Sequence, residues 1–501
     1  MRRFVLIGGV LCLVAIAGAC SSTGSATPSD SSPPKQSDAT VTDRPSGPVA
    51  DVSQELTGSK DPFMGEAVKS GAEAGYVEHE YAAAGTATSY TSATPLAEDG
   101  RWALEPGATA PYRTRVLVRR PADPAAFSGT VVVEWLNVSG GIDANPEYTS
   151  LHEELTRQGD IWVGVSAQLI GVEGGPVLVP VAVPGAEGIV GKGLKTIDPE
   201  RYSSLQHPGD GFSFDIFTQV ARAVRAGGTV LGDLEPQQVL AVGESQSAFA
   251  LTSYYDGVQP ITQAFDGFLI HSRGSAPLPL VGPGEAADIA GSIGKPTAIF
   301  RTDLDTPVLD VQSESDVAGI LSSYQARQPD SDHFRLWEVT GTAHADAHLL
   351  GPTADTLDCG VPINNGPLHV VVKAALRSLD RWVRTGEAPP QAEPLQLTKD
   401  APVAVVRDPD GIALGGVRTS PVDVPVDVLS GKAGPNPAVI CLLLGSTVPL
   451  PAERLAELYP SSADYVQRYA AATNAAIAAG FVLEEDRDAL QAFAQPSRVA
   501  G

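Results

Sequence analysis

The sequence predicts an α/β protein built on a doubly wound, mostly parallel sheet, with a long insertion after a central strand and an ordered C-terminal appendage. Three observations carry that expectation. Runs of β-branched residues alternate with helical patterns, which is the signature of βαβ units. Residues 129–135 (GTVVVEW) are nearly all apolar, as suits a strand covered on both faces. Residues 369–384 read as a helix with a clear stop at Gly386 and Pro389.

Taken in chain order, the first nineteen residues are an export leader rather than fold: Arg2 and Arg3 precede a 16-residue apolar run that ends Ala17-Gly18-Ala19-Cys20. This resembles a bacterial lipoprotein signal, whose cleavage leaves Cys20 as the lipidated first residue. The alternatives are a plain secretory signal or an uncleaved anchor, for which the run is shorter than the ~20 residues a span needs. Residues 20–60 are Ser, Thr, Pro, Asp and Gly with few large apolar side chains, the composition of a disordered tether. Lipid anchor plus tether put the folded part on the extracytoplasmic face of a bacterial membrane, touching the bilayer through the anchor alone.

Residues 61–390 are assigned to the core. Strands are expected at 114–119, 129–135, 161–166, 239–242, 265–270, 307–311 and 334–339, and helices at 151–158, 212–226, from Gln246, and at 369–384. Residues 171–211, rich in Gly and Pro, are too long for a simple connection and are expected to fold over something. Residues 391–501 form the appendage. Two late helices are expected there, at 462–479 with Ser462 as cap and Gly480 as stop, and at 484–494.

Composition narrows function by exclusion. A 501-residue chain with 43% hydrophobic residues supports a large core, and a net charge of −25 opposes binding to a phosphate backbone, so nucleic acid is not an expected partner. Of four cysteines, Cys359 and Cys441 lie in the folded region. In an exported protein they can form one disulfide, with two free buried thiols as the alternative. No metal-ligand spacing with a third partner accompanies His344-Ala345-Asp346-Ala347-His348, and no cofactor is expected.

The sharpest local signal is Gly243-Glu244-Ser245-Gln246-Ser247, between a strand and a helix, with Ser245 at the apex of a tight turn. Small residues two positions either side let strand and helix converge; Gly243 fits, and Ser247 stands where glycine is usual. A serine hydroxyl needs a histidine base and an orienting carboxylate. Downstream, the strand at 307–311 leads into Glu314 and Asp316, and the strand at 334–339 leads into His344, the order serine, acid, histidine. Asp316 is the favoured acid and Glu314 the alternative. Oxyanion donors are expected from the backbone N–H of Gln246 and from the loop 137–141, at Val138. His271 and Arg273 either line the same cleft or anchor a loop.

With those blocks, and with VVEWLNV at 132–138, GTAHAD at 341–346, CGVPIN at 359–364 and GGVR at 415–418, the chain resembles the serine α/β-hydrolase superfamily. More narrowly, it resembles a bacterial family of exported α/β-hydrolase-domain proteins. The resemblance spans roughly residues 76–497, appendage included. It implies the α/β-hydrolase fold and hydrolysis of a small-molecule ester through an acyl-enzyme. Two other functions stay open: a catalytically silent binding protein of the cell envelope, and an amidase or peptidase with the same triad.

Overall fold

The computed structural model describes residues 44–65, 73–180, 188–291, 293–294 and 296–499. The expected leader, Cys20 and the first part of the expected tether lie outside them. Nine strands form one sheet in the order β1-β2-β3-β5-β4-β6-β7-β8-β9. They are β1 (Asp51–Glu55), β2 (Tyr76–Thr91), β3 (Glu105–Pro121), β4 (Thr130–Trp135), β5 (Ile161–Val165), β6 (Gln238–Glu244), β7 (Gly267–His271), β8 (Val308–Ser313) and β9 (Phe334–Val339). The run from β5 to β9 is parallel, and β1, β2 and β3 pair antiparallel at one edge.

Both faces of the parallel part are covered, which is why its strands are almost wholly buried and most of their residues are apolar. On one face Val131, Val133, Val239 and Ala241 pack in a core with α2 (Ser213–Arg225) and α3 (Gln246–Ser253). On the other, Val132, Leu240, Val242, Leu269 and Val311 pack with α1 (Pro146–Gln158) and α5 (Leu368–Thr385). Between β8 and β9 lies α4 (Glu314–Ala318). The chain winds from β4 to β5 on one side and returns to β6 on the other side of β4. The connections leaving β4 and β6 therefore diverge, and a crevice opens at the carboxyl ends of these strands.

Several expectations change. The tether does not run to residue 60, because residues 51–55 are a strand that hydrogen-bonds to the exposed edge of β2. β2 was not expected at all, and β3 is longer than 114–119. The two pair from Tyr76↔Pro121 to Thr91↔Glu105. In this Ala-, Gly- and Thr-rich stretch, pairing and burial of Ala83, Ala87 and Tyr90 override weak intrinsic preference.

The described parts of the insertion 171–211 include short helical turns at Leu194–Ile197 and Pro199–Tyr202 and cover the loop after β4. Leu178 N and Val179 N both donate to Ser139 O at 3.0 Å, and Gly191 N donates to Gly141 O at 2.9 Å. Gly141 has φ +75°, and a Cβ there would come within 2.9 Å of Gly191 N, so the close approach requires glycine.

The appendage adds β10 (Asp427–Ser430) paired with β11 (Ser446–Pro449), α6 (Val439–Leu443) and α7 (Ser462–Ala478). Ser461, not Ser462, caps α7, its side chain accepting from Asp464 N. The second late helix is a 3-10 turn at Glu484–Asp486 followed by α8 (Arg487–Gln491). From Arg44 onward the chain is one compact unit. Among the described residues, no helix is long and apolar enough to cross a membrane.

Candidate active site

Ser245 sits between β6 and α3 with φ 61° and ψ −123°, a conformation that costs a non-glycine residue energy and lifts its side chain clear of the strand. The turn closes because Gly243 lacks a side chain: a Cβ there would lie 3.0 Å from both Ser247 Cβ and Leu251 Cδ1. Ser245 N donates to His271 O at 2.9 Å, which fixes the turn to the end of β7.

Asp316 is delivered by a helix start rather than by a free loop. Ser313 caps α4, and Asp316 reaches back in a capping box, so that Asp316 Oδ2 accepts from Ser313 N and Ser313 Oγ, each at 2.7 Å. Ser272 Oγ donates to the same oxygen at 2.7 Å. Three donors on Oδ2 leave Oδ1 for His344 Nδ1, at 2.6 Å.

A carboxylate only accepts, so Nδ1 carries the proton and Nε2 is the acceptor for the Ser245 hydroxyl, 2.8 Å away. His344 N donates to Ser315 Oγ at 2.7 Å, holding the loop after β9 against the start of α4. Burial alone would raise the Asp316 carboxyl, but the facing imidazole and Ser313 hold it below the usual aspartate range. Burial alone would lower His344, but Asp316 outweighs it and raises the imidazole above the ordinary histidine value.

Glu314, the alternative acid, does not reach the imidazole. Fully buried, it accepts from Gly341 N at 2.6 Å, from Arg407 Nη2 at 2.6 Å and from Gly431 N at 3.0 Å. It ties the start of α4 to the appendage.

The expected oxyanion donors part company. As the first residue of α3, Gln246 has a backbone N–H with no acceptor inside the helix. The N–H of Val138 is already engaged: it donates to Gln246 Oε1 at 3.2 Å, while Gln246 Nε2 donates to Gln168 Oε1 at 2.5 Å. The Gln246 side chain thus bridges the loops after β4 and β5. Its length makes that reach possible, and the loop sequence 137–141 contains no sign of it.

His348 stacks on His369 with ring centroids 3.7 Å apart, Asp346 accepts from Leu349 N at 2.9 Å and His344 Nδ1 faces Asp316, so each side chain of the His-x-Asp-x-His spacing is engaged by a different partner. Among the described residues no group of His, Cys, Asp and Glu could hold a metal ion. Arg273 is a loop anchor, paired with Asp310 at 3.0 Å and donating to Ala298 O and Ala326 O. Cys359 and Cys441 are joined by a disulfide with Cα atoms 5.4 Å apart. The bridge lies in a small apolar cluster with Ala345 and Ile440, against which Val179 of the insertion packs. Sequence reasoning missed Ser272, Ser313 and Gln168. Only Ser313 carried a signal, the Ser-x-x-Asp spacing of a capping box.

A doubly wound sheet with a strained serine at a strand–helix turn, and a histidine and acid at later strand ends, defines a hydrolase of the α/β class. The chain belongs to the alpha/beta hydrolase domain family, whose profile matches residues 45–492. No curated protein matches it in sequence. Among solved structures it is similar to a serine hydrolase without lid from Xanthomonas campestris, at 13% identity over 60% of this chain and 94% of that one, with a TM-score of 0.30. It is also similar to an esterase from Rhizomucor miehei, at 11% identity over 61% and 85% with a TM-score of 0.31. A carboxyl esterase from the fungus Tuber melanosporum gives 12% over 64% and 92%, with a TM-score of 0.27.

Proposed function

We propose that this hydrolase is a serine esterase, exported and held at the membrane through a lipid on Cys20, that cleaves small-molecule carboxylic esters. The observation that carries the reading is the continuous chain of contacts from Asp316 Oδ1 through the imidazole of His344 to Ser245 Oγ, at 2.6 and 2.8 Å.

Ser245 Oγ attacks the ester carbonyl while His344 Nε2 takes its proton. Asp316 keeps the imidazole in the required tautomer and stabilises the imidazolium that forms. The developing oxyanion is met by the N–H of Gln246, an interaction of a kind worth ~10² to 10³ in turnover. Collapse breaks the ester C–O bond, and the departing alcohol takes the proton from Nε2. Water then gives a proton to Nε2 as it attacks the acyl carbon, and the bond to Ser245 Oγ breaks as Nε2 returns that proton to the serine, releasing the acid. Export is supported by the lipoprotein-like leader and by the Cys359–Cys441 disulfide, a bond at home in oxidising compartments.

A fluorophosphonate probe on the folded protein is expected to label Ser245, with Ser245→Ala abolishing both labelling and turnover of short-chain esters. An S245A protein as active as wild type would overturn the reading. Binding of esters without turnover by wild type would point to the silent fold, and cleavage of amides in preference to esters to the peptidase alternative.

A further inference from the structure

Next to the site lies a buried ionisable cluster that the reaction above does not use. His271, the last residue of β7, places its Nδ1 3.3 Å from Glu147 Oε1 of α1 and 3.7 Å from Glu244 Oε2, the residue before Ser245. All three side chains are at most 3% exposed. The backbone carbonyl of His271 is the same one that accepts from Ser245 N, so the cluster and the nucleophile turn share a strand end.

His271 and Glu244 also line a cavity of about 10 Å³ together with His344, Asp346, His348 and His369. Two carboxylates buried side by side repel one another and resist ionisation unless a cation lies between them. The imidazole is the group in that position; Arg273 is committed to Asp310. Burial opposes a charge on His271, but Glu147 and Glu244 outweigh it and raise the imidazole to about 9. Burial raises Glu244 to about 7, against the pull of His271.

We propose that His271 is a positioning residue, held as a cation between Glu147 and Glu244, and that the balance of charge in this cluster sets the pH at which His344 becomes available as a base. The proposal rests on the reading of His344 as the base of Ser245. His344 is faced by Asp316 from α4, Glu244 from β6, His271 from β7, and Asp346 and His348 from its own loop. His271 is faced in addition by Glu147 from α1 and Asp316 from α4. Among these, Glu244 favours a proton on His344 and His271 disfavours it. Activity requires His344 neutral at the start of the reaction, so it rises with pH through the His344 titration. The two neighbours therefore act on that limb with opposite sign.

The test is the pH profile of kcat/KM on a soluble short-chain ester for full-length wild type, His271→Gln, Glu244→Gln and Ser245→Ala. Removing the cation is expected to move the acid limb of H271Q up by about half a pH unit or more, and removing Glu244, which is only partly ionised near pH 7, to move that of E244Q down by a smaller amount. General loosening of the fold would lower kcat without mirror-image limbs. Limbs that shift together or not at all, with S245A inactive, overturn the inference and leave the esterase reading standing; an active S245A overturns that reading. Where a variant fails to fold, wild type labelled with ¹⁵N-histidine decides. One imidazole is expected to stay doubly protonated above pH 8. A spectrum in which all imidazoles are neutral by pH 8 overturns the inference.

Discussion

At the end of β8, two carboxylates separated by one residue serve different parts of the molecule. Asp316 turns to the rim of the sheet, where it meets His344 and, through it, Ser245. Glu314 turns to the appendage, where it meets Arg407 and Gly431. The rim gathers polar side chains from β6, α4 and the loop after β9 so that they act on one another. The appendage holds the rim in place: Asn364 of the core donates through Nδ2 to Gly341 O and to Ser430 O and Ser446 O of the appendage, and Ala345 N, beside His344, donates to Leu443 O at 3.3 Å. The appendage is thus part of the site's architecture.

Exchanging the two acids is the strongest way to break this comparison. Asp316→Asn, which keeps shape but permits the wrong tautomer of His344, is expected to lower kcat by about 10³- to 10⁴-fold. Glu314→Gln is expected to leave kcat within about tenfold of wild type while lowering stability by about 1–3 kcal/mol, since it weakens a buried charge-assisted network. Turnover and urea denaturation of both variants check the division. A large kcat loss in E314Q with D316N near wild type would reverse the assignment of the acid.

A smaller effect on activity, and a large one on stability, is expected at the disulfide. It closes a separation of 82 residues and fastens the segment carrying α6 to the loop that follows His344. Replacing both Cys359 and Cys441 by Ala is expected to lower unfolding free energy by about 4.5 kcal/mol, the chain-entropy figure for a loop of this length. Turnover well below the melting range should change by less than about tenfold, because no atom of the bridge touches the imidazole. Thermal melts with and without reductant, beside the double variant, measure it.

What was legible in the sequence follows the same division. Ser245 stands out because it directly follows the strand β6 with small residues around it, and His344 because a short run of small residues presents it just past β9, both local patterns. The choice between Glu314 and Asp316 was left open by strand placement, since both follow β8; the Ser313 capping box decides it by turning residue 316, not 314, back to the strand end. Val138 was misjudged because a Gln246 side chain from another loop takes its N–H. Glu147 lies 124 residues before His271 in sequence, and β2 is a strand only because β3 and α2 cover it. Such features exist only after long-range pairing, and no window of the chain contains them.

The smallest expected effect sharpens the comparison within the rim itself. Ser313 and Ser247 are both buried serines near Ser245, but Ser313 Oγ donates to Asp316, whereas Ser247 Oγ has no hydrogen-bond partner. Burying a hydroxyl unpaired costs free energy, and its removal without change of shape is neutral or stabilising. Ser247→Ala keeps the Cβ that faces Gly243 and places a better helix former in the first turn of α3. It is expected to raise stability by up to about 1 kcal/mol and to leave kcat/KM within about twofold of wild type. Ser313→Ala, which strips Asp316 Oδ2 of one of its three donors, is expected to lower both stability and kcat/KM. If S247A instead weakens turnover as much as S313A, the Ser247 hydroxyl takes part in the reaction, and the distinction between paired and idle side chains in the rim does not hold.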